Sequence, residues 1–524
     1  MKASDLFVKA LDNEGVEFIF GLPGEENIDL LDSLGGSGIK FITTRHEQGA
    51  AFMADVYGRL TGKPGVCLST LGPGASNLVT GVANAHLDKV PVVALTGQTA
   101  RNKLHKESHQ NVDTLKLFSG ITKYNQAVIL PETIPEIVRK SFATSVRETP
   151  GASHIQLPQD VAASEVEEIQ MLHIPTEKVP TVSPVLIKEA AEAINKAKNP
   201  IILAGNGVIR SKAWKEVSDL VDATNVPIVG TFMAKGIVPF NHPRNLFIVG
   251  GKPYPPGMRP LHSSDLVIAI GFDLVEYDPV TWNADRSRQI INIHSFAAEL
   301  DEHFPVSVDM TGDIALAIRE LAPLVNKRKD TTVHDEIRDR RLREMTEIKD
   351  KSQVMPKAVM KALTRYLPEN TVLISDVGLH KVWVSRWYHP SKAGKTIIFN
   401  GFASMGGSLP GAIAAKLACP QNTVVSVCGD GGFMMNVQEL ETATRLGLKF
   451  AVVLFNDGKF SLIEKEQIDN GFKPSHISFK NPDFGLLAKS FGIHHEHCSS
   501  EEEFDSALQG FLEDEKLTLI EVKL

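Results

Sequence analysis

The apolar run Thr423 to Cys428 breaks into Gly429-Asp430-Gly431-Gly432, and a second apolar run, Phe450 to Phe455, ends near Asp457, 27 residues after Asp430. Between the runs Val437, Leu440, Ala443 and Leu446 recur at helical spacing, with Asn436 and Glu439 placed as a capping pair. The segment therefore reads strand, loop, helix, strand. A crossover of this length is right-handed and makes its two strands parallel, so both acids emerge at the carboxyl edge of one sheet, where ligands of open α/β folds collect. Two carboxylates there can share one cation. Magnesium takes near-octahedral oxygen ligands and bridges to phosphates, while Gly429, Gly431 and Gly432 let backbone N–H groups approach the same anion. Alone, Gly-Asp-Gly-Gly is a tight strand-to-helix turn; Asp457 at the next strand end makes it a candidate metal-diphosphate clamp.

The same alternation extends through the chain. Phe18 to Phe20, Phe41 to Thr44, Val66 to Ser69 and Val92 to Leu95 are strand candidates separated by helical stretches, and so are Ile201 to Leu203, Ile228 to Gly230, Leu266 to Ile270 and Ile290 to Ile293. At 524 residues the chain exceeds what one core supports and suggests about three domains. The expected units are doubly wound α/β domains with mainly parallel sheets, over residues 1–165, 184–325 and 356–524. A polar, proline-bearing linker (Ala162 to Pro184) and a charge-dense solvated helix and connector (Asn326 to Lys351) separate them.

Composition removes several classes of function. A net charge of −8 gives no global basic field for a nucleic-acid backbone. No apolar stretch approaches the length of a membrane span, and the first residues read as an amphipathic helix rather than a leader. Cys67, Cys419, Cys428 and Cys498 are far apart, with no paired metal spacing and too few for a disulfide framework, which fits a reducing cytoplasm. His494-His495-Glu496-His497-Cys498 has good zinc-ligand types, but in a strand successive side chains point to opposite faces, and Ser500 with Glu503 is placed to cap the next helix.

A second signal lies in the first unit, where the strand Lys40 to Thr44 runs into Arg45-His46-Glu47-Gln48. An acid at that position is commonly a helix N-terminal carboxylate favoured by the dipole. Beside the clamp it has a sharper use: a diphosphate cofactor whose ring needs a proton moved at one nitrogen requires a carboxyl group in a dry cleft. With Phe20-Gly21-Leu22-Pro23-Gly24, Arg45-His46-Glu47-Gln48, Gly58-Arg59-Leu60-Thr61-Gly62, Gly72-Pro73-Gly74-Ala75-Ser76-Asn77, Ile121-Thr122-Lys123-Tyr124 and the clamp itself, the chain resembles the thiamine-diphosphate enzymes of the acetolactate synthase group over nearly its full length.

The resemblance implies a pyrimidine-binding domain, a central domain and a diphosphate-binding domain in that order. It implies that Glu47 bonds the cofactor's aminopyrimidine and acts in acid-base chemistry through it. Gly72, Pro73, Asn77, Met405, Gly429, Gly431 and Gly432 would contact the cofactor. Asp430 and Asp457 would be side-chain ligands of Mg2+, with the backbone carbonyl of Lys459; the family more often has Asn where this chain has Asp457. Met405 matches the bulky residue that holds the cofactor bent. The two cofactor-binding domains meet across a subunit interface in this family, which implies a homodimer or homotetramer.

Simple 2-oxo acid decarboxylases of the family carry two adjacent histidines that assist aldehyde release. This chain has His105, His109 and Gln110 instead, and Ser108-His109-Gln110 resembles the acetolactate synthases, whose glutamine faces the cofactor. Carboligation to a second 2-oxo acid is therefore expected over aldehyde release, with pyruvate the simplest donor. Ile201 to Gly207, a strand with a glycine turn, invites a dinucleotide reading but is too short a fingerprint. Gly271-Phe272-Asp273, Glu276-Tyr277-Asp278-Pro279 and Trp282-Asn283 resemble the flavin-free catabolic acetolactate synthases, so no FAD is expected. Glu466 stands where those enzymes carry a glutamine near the second substrate, and the chain stops at Leu524, where the family has a tail over the active site. The alternatives are a flavin-containing oxidoreductase resembling pyruvate oxidase, a simple decarboxylase, and a non-catalytic homologue.

Overall fold

The computed structural model describes residues 1–175, 179–250, 258–347, 351–514 and 516–524. Residues 176–178 of the expected linker and 348–350 of the expected connector lie outside the described residues. Three six-stranded sheets follow one another along the chain. The first holds β1 (Phe18–Gly21), β2 (Lys40–Thr43), β3 (Gly65–Ser69), β4 (Val92–Gln98), β5 (Tyr124–Ala127) and β6 (Ala152–Pro158) in the order 2-1-3-4-6-5. The second holds β7 (Pro200–Ala204), β8 (Ile228–Gly230), β9 (Asn245–Ile248), β10 (Leu266–Ile270), β11 (Gln289–His294) and β12 (Val306–Thr311) in the order 12-11-10-7-8-9. The third holds β13 (Val372–Ser375), β14 (Thr396–Ile398), β15 (Val424–Gly429), β16 (Ala451–Asn456), β17 (His494–Cys498) and β18 (Thr518–Lys523) in the order 14-13-15-16-18-17.

Every pairing within these sheets is parallel. Parallel sheets are covered on both faces, which is why β15 and β16 read as continuous apolar runs rather than alternating ones. The first and third sheets share one winding order although their sequences show no repeat. In the third, the order reverses between β13 and β15, and a crevice opens there at the carboxyl edge. At the equivalent point of the first sheet, between β1 and β3, the loop after β1 packs on the one after β3: a Cβ on Gly24 would lie 2.3 Å from the Thr70 Cβ.

The first and third sheets share an apolar core, built where the helix Glu47–Thr61 packs on the helix Ser408–Ala418. Phe52 meets Phe399 at 5.8 Å between ring centroids, and a Cβ on Gly411 would come within 2.8 Å of Val56, so the helices approach at a glycine. Arg59 fastens the edge of this contact. Its guanidinium bonds Asp55 and, at 2.6 Å, Asp88, whose carboxylate also accepts from the Gly401 and Asn400 amides of the third unit.

Two expectations are corrected here. Asn436 and Glu439 do not cap the helix Glu439–Arg445, which has no side-chain cap. Glu439 instead accepts from the Arg45 and His46 amides at 3.0 and 3.1 Å, and Asn436 donates to the Gln48 side chain at 3.1 Å and to the Gly406 carbonyl at 2.8 Å. They join the two cofactor-type units. In the charge-dense connector the helix Thr332–Thr346 forms, but it is not simply solvated: His334 and Arg341 are buried, and Arg341 donates to the Ile248 carbonyl at 2.7 Å.

Burial also sets a pH dependence. His154, fully buried on β6, lies between Thr96 (2.8 Å) and Asn125 (2.7 Å) and stacks on Phe118, and desolvation pushes its pKa down to about 3. An unfolded histidine titrates near 6.5, so the unfolded chain takes up a proton the folded one refuses as pH falls below that value. His154 alone should remove about 2 kcal/mol of stability between pH 7 and pH 5. Denaturant midpoints measured across that range, against His154→Leu, should show a shallower slope in the variant.

Candidate active site

The crevice between β13 and β15 holds a cavity of about 260 Å³. Its walls include Gly378, His380, Met405, Gly429, Asp430, Gly431, Gly432, Asp457, Lys459 and the last residue, Leu524. Asp430 opens the short helix after β15 and is almost wholly buried. Its Oδ2 accepts from the backbone N–H of Asp457 (3.1 Å) and Gly458 (2.7 Å) and from the Asn481 amide (2.7 Å), and its Oδ1 from the Gly431 N–H (2.8 Å). One carboxylate therefore ties the ends of two adjacent strands together.

Asp457 leaves β16 beside it. Its Oδ2 accepts from the Ser461 hydroxyl and its Oδ1 from the Lys459 N–H at 3.3 Å. Burial, reinforced by the neighbouring charge of Asp430, holds the Asp457 carboxyl above the usual carboxylate range. Two acids that repel in this way are relieved by a shared cation. No group of three or more His, Cys, Asp or Glu side chains forms a metal cage among the described residues. A cation at this edge would have two carboxylates and backbone carbonyls, with room left for phosphate oxygens, which suits magnesium.

The surroundings fit a diphosphate. A Cβ at Gly431 would lie 2.6 Å from Phe460, at Gly432 2.9 Å from Asp376 and at Gly429 3.2 Å from His380, so the turn keeps its amides accessible only as glycine. His380 is buried and its Nε2 has no partner among the described residues, an orphan polar atom on a residue of the cavity wall. Desolvation pushes the His380 pKa down to about 3. Asp376, at the end of β13, accepts from the Val377 N–H at 2.7 Å, the Gly406 N–H at 2.9 Å and the Ser408 hydroxyl at 3.2 Å, which fixes the Met405 loop against the cavity. Burial pushes the Asp376 carboxyl up to about 6.

Sequence reasoning missed both Asp376 and His380. The signal was present: Val372 to Ser375 is an apolar run ending in Asp376-Val377-Gly378, the same strand-acid-glycine pattern as Cys428 to Gly431.

A second cluster forms at the carboxyl edge of the first sheet. Glu47 opens its helix after β2, with the His46 side chain accepting from the Gln48 N–H at 3.1 Å as the cap. The Glu47 carboxylate is 7 % exposed and accepts from the Asn77 amide at 2.9 Å. Asn77 lies on the helix Gly72–Leu87, which starts after β3 with Pro73 in its first turn. A Cβ on Gly72 would meet the Gln110 carbonyl at 2.4 Å, and one on Gly74 would meet Glu47 at 3.2 Å. Glu47, Gly72, Pro73 and Asn77 are thus brought together beside the Gln110 backbone carbonyl, while the residues His105, His109 and Gln110 are exposed. None of these residues lines the cavity that holds Asp430 and Asp457. The two clusters lie at the carboxyl edges of different sheets.

Residues 1–117 match the family described as thiamine pyrophosphate enzyme, N-terminal TPP binding domain; residues 187–321 match its central domain and residues 376–522 its C-terminal TPP binding domain. A probable acetolactate synthase large subunit of Methanocaldococcus jannaschii is 35% identical, over 97% of this chain and 89% of that protein. The chain belongs to the thiamine-diphosphate-dependent acetolactate synthase family. An acetolactate synthase of Bacillus subtilis is 32% identical over 99% of this chain and 93% of its own length. A catabolic acetolactate synthase of Raoultella terrigena is 33% identical over 93% and 89%.

Within this acetolactate synthase family member the glycine turn of the central sheet has a local cause. A Cβ on Gly205 would lie 2.5 Å from the Gly271 carbonyl and from Glu276, and one on Gly207 2.6 Å from Gly271. The chain's own loop after β10 packs against the glycine turn after β7, and Glu276 accepts from the Asn206 N–H at 2.9 Å.

Proposed function

We propose that this protein decarboxylates a 2-oxo acid, pyruvate in the simplest case, and joins the product to a second 2-oxo acid, using thiamine diphosphate and Mg2+. The observation that carries the reading is the pair of half-sites: a buried, hydrogen-bonded Glu47 on one sheet edge, and Asp430 with Asp457 around a glycine-walled cavity on another. When bound, thiamine diphosphate supplies the carbon that adds to the oxo group and stabilises the negative charge left as carbon dioxide departs.

The chain's residues divide the remaining work. Asp430, Asp457 and the Lys459 carbonyl would hold the magnesium ion, and the amides of Gly429, Gly431 and Gly432 would face the diphosphate. Met405, fixed through Asp376, supports the ring. Glu47 moves a proton at the aminopyrimidine nitrogen, Asn77 orients its carboxylate, and Gly72, Pro73 and Gln110 line the same edge. Because Glu47 and the clamp occupy separate half-sites, a partner copy completes each site, so a homodimer or a homotetramer is the working form. Where the simple decarboxylases carry two adjacent histidines to assist aldehyde release, this chain has His105, His109 and Gln110, which favours attack on a second oxo acid.

No flavin is part of this reading, since the chain's own loop packs against the glycine turn after β7 and Gly271 to Asn283 resemble the flavin-free catabolic enzymes. Glu466 sits in the helix Ser461–Asp469, which follows Asp457, and bears on the choice of acceptor. No described helix is long and apolar enough to cross a membrane. With its four cysteines free, a cytoplasmic location is proposed, without nucleic-acid or membrane partners.

Incubating the protein with thiamine diphosphate, magnesium and a panel of 2-oxo acids should yield coupled hydroxy-oxo acids by mass spectrometry. Chelation should stop their formation and added magnesium restore it. Aldehyde as the sole product would assign a simple decarboxylase instead, and a stoichiometric flavin absorption band would assign an oxidase.

A further inference from the structure

Glu47 is held at two points, and only one of them belongs to its own unit. Asn77 fixes the carboxylate, donating at 2.9 Å from the helix Gly72–Leu87. The main chain that delivers Glu47 is fixed from the third unit. Glu439 Oε1 accepts the backbone N–H of Arg45 at 3.0 Å and of His46 at 3.1 Å, while its Oε2 accepts from the Thr442 hydroxyl at 2.7 Å. No other acceptor takes either N–H among the described residues. The His46 carbonyl in turn accepts from the Ala50 N–H and starts the helix Glu47–Thr61. Glu439 therefore grips the two peptide groups immediately before that helix.

The contact is closely fitted. Glu439 is fully buried, and a Cβ on Gly49 would lie 2.7 Å from its Oε1 and 3.0 Å from its carboxyl carbon. Glycine at 49 lets the carboxylate lie along the first turn of the helix. A buried carboxylate is costly unless hydrogen-bonded, and two of the three donors that meet this one are the amides ahead of Glu47. A shift of those peptides carries the Glu47 Cα with it, and a misplacement of about 1 Å can cost about a hundredfold in rate. Glu439 itself lines no part of the cavity that holds Asp430 and Asp457.

We propose, on the role given to Glu47 above, that Glu439 is a positioning residue: through the Arg45 and His46 amides it sets where the Glu47 carboxylate stands, touching neither cofactor nor substrate. The third unit of one chain then serves two sites of the assembly, with its clamp in one and its Glu439 in the other.

Glu439→Ala and Glu439→Gln test this in the full chain. Glutamine keeps a carbonyl oxygen for both amides, and the Thr442 hydroxyl can turn to accept from its NH2. Alanine removes every acceptor. Without cofactor, hydrogen exchange over residues 44–48 should speed up by about tenfold in Glu439→Ala and stay near that of the unaltered protein in Glu439→Gln, with residues 457–458 unchanged in both. With thiamine diphosphate and magnesium, Glu439→Ala should lose about ten- to a hundredfold in kcat while KM and cofactor affinity hold, and Glu439→Gln should recover most of that loss. Gly49→Ala, whose Cβ pushes the carboxylate off the two amides, should reproduce the exchange and kcat changes with Glu439 in place. A double-mutant cycle separates positioning from general destabilisation. In the Glu47→Gln background Glu439→Ala should cost nothing further, whereas a merely structural residue costs the same factor in both backgrounds. Full activity in Glu439→Ala, or in Gly49→Ala should the alanine variant not fold, overturns the proposal. So does an equal loss in Glu439→Gln, or an undiminished loss in the Glu47→Gln background. Near-normal turnover of Glu47→Gln alone overturns the role of Glu47 and this proposal with it; collapse of Glu47→Gln beside full activity in Glu439→Ala overturns this proposal alone.

Discussion

Glu47→Gln should lower turnover of the 2-oxo acid by about two to four orders of magnitude while the protein still folds and retains thiamine diphosphate. The substitution preserves shape. A glutamine carbonyl can still accept from Asn77, whose amide donates to Glu47 at 2.9 Å, and the helix Glu47–Thr61 keeps its His46 cap. What is lost is a group able to exchange a proton, together with a modest charge-dipole interaction at the helix start of about 0.3–1 kcal/mol. The effect should therefore fall on kcat, with the thermal midpoint nearly unchanged. Asn77→Ala is the companion variant: it leaves the carboxylate in place but frees its orientation, so its loss should be smaller. Near-normal turnover in Glu47→Gln would remove Glu47 from the mechanism.

The alternation of apolar runs made the three-unit α/β fold readable, because strands buried on both faces leave continuous apolar sequence between helices. β3, β4, β7, β10 and β15 show this directly. Short or half-exposed strands do not. Tyr124–Ala127 is mostly polar and lies at a sheet edge, so nothing in its composition marks it. The acids at strand ends were legible because one crossover fixes where both emerge. Asn436 and Glu439 were misread because their spacing satisfies a local rule, whereas their partners, Gln48 and the amides of Arg45 and His46, lie 388 to 394 residues away in sequence. Local patterns report local structure. The buried Arg341 in a charge-rich helix has the same origin: its acceptor, the Ile248 carbonyl, belongs to another element, and charge density alone gives no sign of it.

Asp430→Asn should weaken magnesium-dependent binding of thiamine diphosphate by about a hundredfold or more, beyond the 10–100-fold usual for residues behind the metal ligands. Asp457→Asn should cost less than about tenfold, because it keeps an oxygen ligand. The difference follows from what each carboxylate accepts. Asp430 takes four hydrogen bonds, three on Oδ2 and one on Oδ1, all from N–H donors. An asparagine amide must present its own NH2 to one set or the other. In one orientation it faces the amides of Asp457, Gly458 and Asn481; in the other it faces Gly431. Either leaves buried donors unmet, at about 1–3 kcal/mol each, and loosens the two strand ends that shape the cavity. Asp457 accepts one backbone N–H, and its second oxygen meets a hydroxyl, which can turn and accept from an amide instead. Neutralising it also removes the cost of burying its charge and the repulsion from Asp430, which hold the Asp457 carboxyl above the usual range. Trp383 stands in the cavity wall, so its fluorescence during a thiamine diphosphate titration at fixed magnesium reads both variants. If Asp430→Asn binds the cofactor as the unaltered protein does, the diphosphate is not anchored at this sheet edge.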